Sequence, residues 1–179
     1  MKTLTLLRHA KSGWDDPVAR DFDRPLNDKG RRAAQAVGRQ LRTLDIGFDH
    51  IVASPATRVI ETIAGLADGY GMAIEPAWDK RLYLASAATL LDVARESPAD
   101  AARVLLVAHN PGLEDLVLLL IAKGEADLIA AAEEKYPTGT LAELTFAVDQ
   151  WADVAAGAGT LTRFIRPRDL DPALGPGEE

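Results

Sequence analysis

The sequence predicts a single three-layer α/β domain, with a central, mostly parallel sheet and helices on both faces. Its 179 residues are close to the length of one domain, for which about 150 residues is the usual prior. Strand-like and helix-like segments alternate along the chain, which is the pattern of a sheet covered by helices. Hydrophobic residues make up 47% and charged residues 26%. This balance is typical of an ordinary globular protein, so disordered and fibrous classes are excluded.

Five short segments rich in leucine, valine, threonine and isoleucine are predicted as strands. They are residues 3–7, 48–53, 103–108, 141–148 and 160–165. The first three are interpreted as buried strands, because they are short runs of β-branched and apolar residues, most clearly in residues 104–107. The last two alternate between apolar and polar residues, which suits antiparallel or edge strands late in the sheet.

Helices are predicted between these strands, where apolar residues recur at helical spacing. They extend from Asn27 to near Gly47 and over residues 54–69, 82–95, 113–122 and 126–135. The second of them should begin with Ser54 as the N-cap and Pro55 at the first helical position. We therefore predict one folded domain over residues 1–168. Residues 169–179 are acidic and contain proline and glycine, which indicates a surface or frayed tail.

Charge and composition exclude several classes of partner. Twenty lysines and arginines against 27 acidic residues give a net charge of −7, so no general electrostatic footprint for nucleic acid or anionic lipid exists. The apolar run 116–122 is far shorter than the roughly 20 residues of a membrane helix, and residues 3–7 are too few for a secretory signal. We expect a cytoplasmic protein with no nucleic-acid or membrane partner. The absence of cysteine excludes disulfides and thiolate chemistry.

Polar residues with phosphate-binding chemistry follow the strongest strands. His9 and His109 come directly after two of them, and Arg58 lies in the first turns of the helix after a third. Because ligands bind outside the carboxyl ends of parallel strands, these side chains and Arg8 should share one pocket. Two guanidinium groups and two imidazoles suit a phosphoryl group. The third histidine, His50, precedes a strand and is interpreted as a surface or packing residue.

Four motifs occur in this order along the chain. They are Leu7-Arg8-His9-Ala10-Lys11-Ser12, Arg24-Pro25-Leu26-Asn27 with Gly30, Ser54-Pro55-Ala56-Thr57-Arg58 with Glu61-Thr62, and Ala108-His109-Asn110-Pro111-Gly112. In order and spacing they resemble the histidine phosphatase superfamily, which includes the cofactor-dependent phosphoglycerate mutases. The short length, the Arg-Pro-Leu and His-Asn-Pro-Gly motifs, and Pro137-Thr138-Gly139 with Trp151 look most like the SixA-type phosphohistidine phosphatases.

The resemblance implies a phosphoglycerate mutase-like fold, with residues 1–168 as the catalytic domain and no cofactor or metal. His9 would be the nucleophile: its neutral imidazole becomes phosphorylated, and water then hydrolyses the phosphohistidine. Its other ring nitrogen would donate a hydrogen bond to a backbone carbonyl. Arg8, Arg58 and His109 would hold the nonbridging phosphoryl oxygens. A protonated His109 beside a neutral His9 would give a bell-shaped pH profile.

Three further residues are candidates for substrate binding, and each has a structural alternative. Arg24 could contact substrate or pair with Asp21 or Asp23. Ser12 could touch phosphate or form a turn. Asn110 belongs to the turn that could add backbone donors. The corresponding alternative for Arg58 is an ion pair with Glu61, one helical turn away.

The sequence departs from the superfamily in ways that bear on the substrate. Ala10 stands where a glycine is common, and Asp15 where mutase-like members tend to have a phosphate-binding asparagine. Mutase-like members also have a glutamate proton donor before an Arg-x-Tyr stretch, where this chain reads Asp79-Lys80-Arg81-Leu82-Tyr83. Alkoxide leaving groups need such an acid, whereas a phosphorylated imidazole does not. The candidates for a proton donor are Asp15, Asp16, Asp21 and Asp23.

We therefore predict a phosphatase whose partner is a protein carrying phosphohistidine, with a shallow, open pocket because no large insertion separates the motifs. A small-molecule phosphomonoesterase is the alternative, and a non-catalytic phosphate-binding module is the alternative of another class. A Rossmann dinucleotide enzyme is disfavoured because no Gly-x-Gly-x-x-Gly follows the first strand.

Overall fold

The computed structural model describes residues 1–14 and 20–176, and one seven-stranded sheet forms the centre of this region. The strands are β1 (Lys2–Arg8), β2 (His50–Ala53), β3 (Ala77–Trp78), β4 (Arg103–Ala108), β5 (Ile121–Gly124), β6 (Leu141–Phe146) and β7 (Gly159–Ile165). Their order across the sheet is β3-β2-β4-β1-β6-β7-β5. Only β6 runs against the others, pairing antiparallel with β1 and β7. The predicted mostly parallel sheet is therefore confirmed.

Helices cover both faces of this sheet, as predicted. They are α1 (Asp28–Thr43), α2 (Thr57–Tyr70), α3 (Ala87–Arg95), α4 (Gly112–Leu120), α5 (Ala126–Glu134) and the single turn α6 (Pro167–Leu170). Successive side chains of a strand point to opposite faces. In β4, Leu105 and Val107 pack in the cluster formed with α1 and α2, whereas Val104 and Leu106 pack in the cluster formed with α3, α4 and α5. Two apolar cores therefore enclose the sheet, which is the three-layer arrangement.

Short 3-10 helices complete the described structure at Asp21–Asp23, Lys80–Leu82, Trp151–Asp153 and Pro172–Leu174. None of the six α-helices described within residues 1–14 and 20–176 is both long and apolar enough to cross a membrane. The part of the predicted tail that is described begins in α6, and the Lys29 ammonium donates to the carbonyl of Gly175. The domain boundary at residue 168 stays a prediction.

Several local predictions need correction. Ser54 is not the N-cap of α2, because that helix begins at Thr57 with Ala56 as the capping residue and no side-chain cap. The helix predicted over 113–122 ends at Leu120, and the chain enters β5 at Ile121. Of the two late strands, β6 is antiparallel as expected, but neither is at an edge, since β3 and β5 occupy the edges.

Candidate active site

The two histidines meet at one edge of the sheet because β1 and β4 are adjacent and parallel. Arg8 is the register partner of Ala108, so the next residues, His9 and His109, leave the sheet side by side. Their ring centroids are 5.3 Å apart at an interplanar angle of 52°. Both residues are buried. The two imidazoles therefore lie close together, as predicted from their positions after two strands of one parallel sheet.

The protonation of His9 follows from its hydrogen bond. Its Nδ1 lies 2.7 Å from the carbonyl oxygen of Ala10, and a carbonyl can only accept, so Nδ1 carries the proton. Burial, together with the positive charge of Arg58 and Arg8 and the neighbouring His109, lowers the pKa of His9 to about 3. The imidazole is therefore neutral at neutral pH, and its lone pair is on Nε2.

The second imidazole is also neutral, which corrects the expectation of a protonated His109. Burial, followed by the positive charge of Arg58, lowers the pKa of His109 to about 3. Its Nε2 lies 2.7 Å from the hydroxyl oxygen of Ser54. Its Nδ1 is buried without a hydrogen-bond partner among the described residues. The rings of Tyr83 and His109 pack edge-to-face, with their centroids 5.3 Å apart.

Arg58 is buried at the start of α2 and is held by Asp21, not by Glu61. Its Nη1 donates to the Asp21 carbonyl at 2.9 Å, and its Nη2 donates to the Asp21 carboxylate at 3.1 Å. Glu61 instead accepts a hydrogen bond from the backbone N–H of Leu26 at 2.9 Å. The positive charge of this guanidinium contributes to the lowered pKa of His109.

Asp21 connects several groups of the site. Besides Arg58, its carboxylate accepts from the Tyr83 hydroxyl at 2.6 Å and from Arg24 at 3.1 Å. Burial opposes ionisation of Asp21, but the hydrogen bonds from Tyr83 and Arg24 and the charge of Arg58 outweigh it and lower the pKa to about 2. Asp21 is therefore an ionised acceptor. For Arg24 the ion pair with Asp21 is the arrangement observed, and its guanidinium also lies 4.1 Å from the centre of the Trp14 ring.

The other carboxyl groups considered as proton donors form ion pairs with arginines where the structure describes them. Asp23 pairs with Arg20 at 2.8 Å. At the position of the superfamily's glutamate, Asp79 pairs with Arg81, whose hydrogen bonds lower the Asp79 pKa. Asp15 and Asp16 lie outside the described residues. Within residues 1–14 and 20–176, no group of three or more histidine or acidic side chains is arranged to hold a metal ion.

The remaining predicted residues bind the backbone around the site. Arg8 Nη1 and Asn110 Nδ2 both donate to the carbonyl of Tyr136, at 2.9 and 3.1 Å. Asn110 Oδ1 also accepts from the N–H of Glu114 in α4. The Ser12 hydroxyl donates to the carbonyl of Pro25, 13 residues along the chain, which is a long-range bond and not that of a local turn. Burial lowers the pKa of Arg8, and its Nε has no partner among the described residues.

Known proteins resemble this chain in sequence and in fold. The model of the histidine phosphatase superfamily (branch 1) matches residues 4–83. An uncharacterized protein of Mycobacterium tuberculosis is 34% identical over 164 residues, which cover 90% of this chain and 100% of that protein. The chain belongs to the histidine phosphatase superfamily.

Two solved structures that carry the provisional name phosphohistidine phosphatase SixA have the same fold as this chain. The protein from Nakamurella multipartitia is 30% identical with a TM-score of 0.76, and the match covers 93% of this chain and 96% of that one. The protein from Agrobacterium tumefaciens is 29% identical with a TM-score of 0.76, and the match covers 93% and 98% of the two chains. The phosphoglycerate mutase-like fold is confirmed, and these matches support a phosphatase.

The structure adds residues to this histidine phosphatase site that the sequence did not assign. Tyr83 binds Asp21 and packs on His109, and its signal in the sequence was the Arg-x-Tyr spacing at residues 81–83. Thr62 accepts a hydrogen bond from the N–H of Ala10 at 2.9 Å, which fixes the turn that holds His9. His9 and His109 are both buried, and the expected shallow, open pocket stays a prediction.

Proposed function

We propose that this chain is a phosphatase that forms a phosphohistidine on His9 and dephosphorylates phosphohistidine in proteins. The observation that supports it best is the hydrogen bond from His9 Nδ1 to Ala10, because it leaves the lone pair on Nε2 of a neutral ring. That lone pair attacks phosphorus in line, the P–Nε2 bond forms, and the bond to the leaving group breaks. Water then attacks phosphorus and the P–Nε2 bond breaks, which gives inorganic phosphate and the free imidazole.

Positive charge and buried donors around His9 suit the phosphoryl oxygens. Arg8 Nε, Arg58 Nε and His109 Nδ1 are buried and have no partner among the described residues. If the Ser54 hydroxyl donates to His109 Nε2, then His109 Nδ1 carries a proton and can donate to an oxygen. Catalysis of phosphoryl transfer consists mainly of positioning and charge neutralisation, which these groups would supply.

The state of the carboxyl groups favours a phosphohistidine substrate. Asp21 is held as a carboxylate, and Asp23 and Asp79 are paired with arginines. None of these three is arranged to protonate an alkoxide leaving group, a step typically worth about 10² to 10⁴-fold. A substrate phosphohistidine carries its own proton on the remote ring nitrogen and departs as neutral imidazole.

Trapping the intermediate tests the chemistry. Rapid acid-free quench with a ³²P-labelled phosphohistidine protein should leave base-stable, acid-labile label on the wild-type chain and none on His9→Ala. His50→Ala is the matched control, since it removes a histidine at the start of β2. Undiminished label on His9→Ala would refute the nucleophile.

Relative specificity tests the substrate. We expect kcat/KM for a phosphohistidine peptide or a small phosphoramidate to exceed that for sugar and glycerate phosphates by at least about tenfold. A sugar phosphate as the better substrate would instead indicate a small-molecule phosphomonoesterase. Anion binding without turnover on any of these compounds would indicate a non-catalytic phosphate-binding module.

A further inference from the structure

One cavity is strongly basic, and its described lining residues include Arg8 but not the candidate nucleophile His9. Its volume is about 330 Å³, and residues that follow β1, begin α1, follow α5 and form α6 line it. Six of the lining side chains are cationic: Arg8, Lys11, Lys29, Lys135, Arg166 and Arg168. No acidic residue is among its described lining residues, although the chain as a whole has a net charge of −7.

Most of this charge is not neutralised by described carboxylates. Only Arg166 forms an ion pair, with Asp169 at 2.9 Å. Lys29 donates to the carbonyl of Gly175 and forms no salt bridge with any described carboxylate. Lys11, Lys135 and Arg168 have no salt bridge within residues 1–14 and 20–176, and Lys11 and Lys135 are exposed. A concave site lined by one sign of charge concentrates ligands of the opposite sign.

The cavity adjoins the phosphoryl site through Arg8. Arg8 lines the cavity, and its positive charge also contributes to the low pKa of both His9 and His109. A ligand with its phosphoryl group at His9 would therefore place neighbouring groups against this basic surface. The cationic residues surround the cavity from several chain segments, so they can contact more than one anionic group.

We propose that this cavity binds aspartate and glutamate side chains of the phosphorylated protein, next to the phosphohistidine in its sequence or on its surface. The proposal rests on the proposed function for the identity of the phosphorylated residue. The acidic groups contribute to encounter and binding of the substrate, whereas Arg8, Arg58 and the imidazoles perform the chemistry. Cationic residues at such positions act mainly on association and on its salt dependence.

Two phosphohistidine peptides and one variant test this site. One peptide has glutamates on both sides of the phosphohistidine, and the other has glutamines at the same positions. The wild-type chain should show about tenfold higher kcat/KM for the glutamate peptide, through a lower KM at equal kcat, and high salt should reduce this preference. Lys11→Gln/Lys135→Gln/Arg168→Gln should abolish the preference and leave kcat/KM for a small phosphoramidate unchanged.

A control with the same net charge separates the cavity from general electrostatics. Arg39→Gln/Arg42→Gln/Lys123→Gln removes three exposed cations elsewhere on the described surface and should keep the preference. Equal kcat/KM for the two peptides with the wild-type chain, or equal loss of preference in both triple variants, would overturn the proposal.

Binding measured without turnover keeps the two proposals distinct. Fluorescence anisotropy of the unphosphorylated glutamate peptide should show weaker binding to the cavity variant than to the control variant. If this difference appears but no phosphohistidine peptide is hydrolysed, the proposal that the cavity binds acidic side chains is supported and the proposed function is wrong. If both peptides are hydrolysed equally, the proposed function is supported and the proposal for the cavity is wrong.

Discussion

Acidification from pH 7 to pH 5 should destabilise the folded protein through its two buried imidazoles. The pKa of His9 and that of His109 are each lowered to about 3 in the folded state, whereas an unfolded histidine has a pKa of about 6.5. Between these values the unfolded chain binds more protons than the folded chain. Stability therefore rises with pH across this window and falls as the pH decreases through it.

The size of the effect follows from the same values. At pH 5 each imidazole is about 1.5 pH units below its unfolded pKa, which corresponds to about 2 kcal/mol per histidine and about 4 kcal/mol for the pair. Asp21 does not contribute in this range, because its folded-state pKa of about 2 and the value of about 3.9 for an unfolded aspartate both lie below pH 5. Since domains are typically stable by only about 5 to 15 kcal/mol, the loss should be readily measured.

Urea denaturation at pH 7 and pH 5 measures this loss. The unfolding free energy at pH 7 minus that at pH 5 should be smaller by about 2 kcal/mol in His109→Asn, and smaller by about 4 kcal/mol in His9→Asn/His109→Asn, than in the wild-type chain. His50→Asn is the control, because it removes a histidine outside the site. Chemical shifts of the histidine ring carbons across the same range report protonation directly. Titration of His109 near pH 6.5 in the folded protein, or an undiminished pH dependence in His109→Asn, would refute the reasoning.

Two substitution pairs test the site and the packing beneath it. Arg58→Ala should lower kcat/KM by the equivalent of a few kcal/mol of transition-state stabilisation, mainly through kcat. Arg24→Ala should lower kcat less, because Asp21 keeps its bonds to Arg58 and Tyr83 when its ion pair with Arg24 is removed. Steady-state kinetics with a small phosphoramidate measures both effects, and unchanged constants in Arg58→Ala would contradict the prediction. Gly112→Ala should lower the unfolding free energy by about 1 to 3 kcal/mol, because the added Cβ would lie 2.0 Å from the carbonyl oxygen of Ala85. Gly47→Ala, whose Cβ would meet nothing within 4 Å, is the control in the same urea assay, and equal stabilities of the two variants would show that the contact at Gly112 relaxes freely.

The convergence of the histidines was predictable because it depends on strands that the sequence marks clearly. Residues 104–108 are a contiguous apolar run with a polar residue directly after it, and β4 has the predicted bounds of 103–108. Parallel strands end at one edge of a sheet, so a residue after β1 and one after β4 had to lie near each other once both were central. Neither step required knowledge of side-chain contacts.

Edge strands and caps were not predictable in the same way. β3 contains two residues, both exposed, and β5 contains four, of which three are exposed. Such strands lack a buried apolar pattern and exist because their backbones pair with β2 and β7. Serine is a residue type favoured at N-caps, and the Ser54 hydroxyl oxygen does accept a local hydrogen bond from the N–H of Ala56 at 3.3 Å. It also contacts Nε2 of His109, a tertiary bond that the sequence does not reveal, and the helix begins only at Thr57.

The partner of Arg58 also lies beyond sequence reasoning. Local spacing favours Glu61, three residues along the helix, yet the bond is to Asp21, 37 residues away. Several aspartates occur in the segment before Arg24, and nothing in their spacing distinguishes Asp21 from Asp23. The distinction comes from the 3-10 turn at Asp21–Asp23, which places one carboxylate against Arg58 and Tyr83 and the other against Arg20.

The charge of His109 shows most clearly what residue identity leaves open. A histidine in a phosphate-binding pocket suggests an imidazolium, but the ring is buried and lies near Arg58, and both effects favour the neutral form. The positive charge available to a phosphoryl group in the free protein therefore comes from guanidinium groups, which remain protonated in proteins. His109 can still act as a hydrogen-bond donor through Nδ1, so its role depends on the tautomer that Ser54 selects and not on a proton gained near neutral pH.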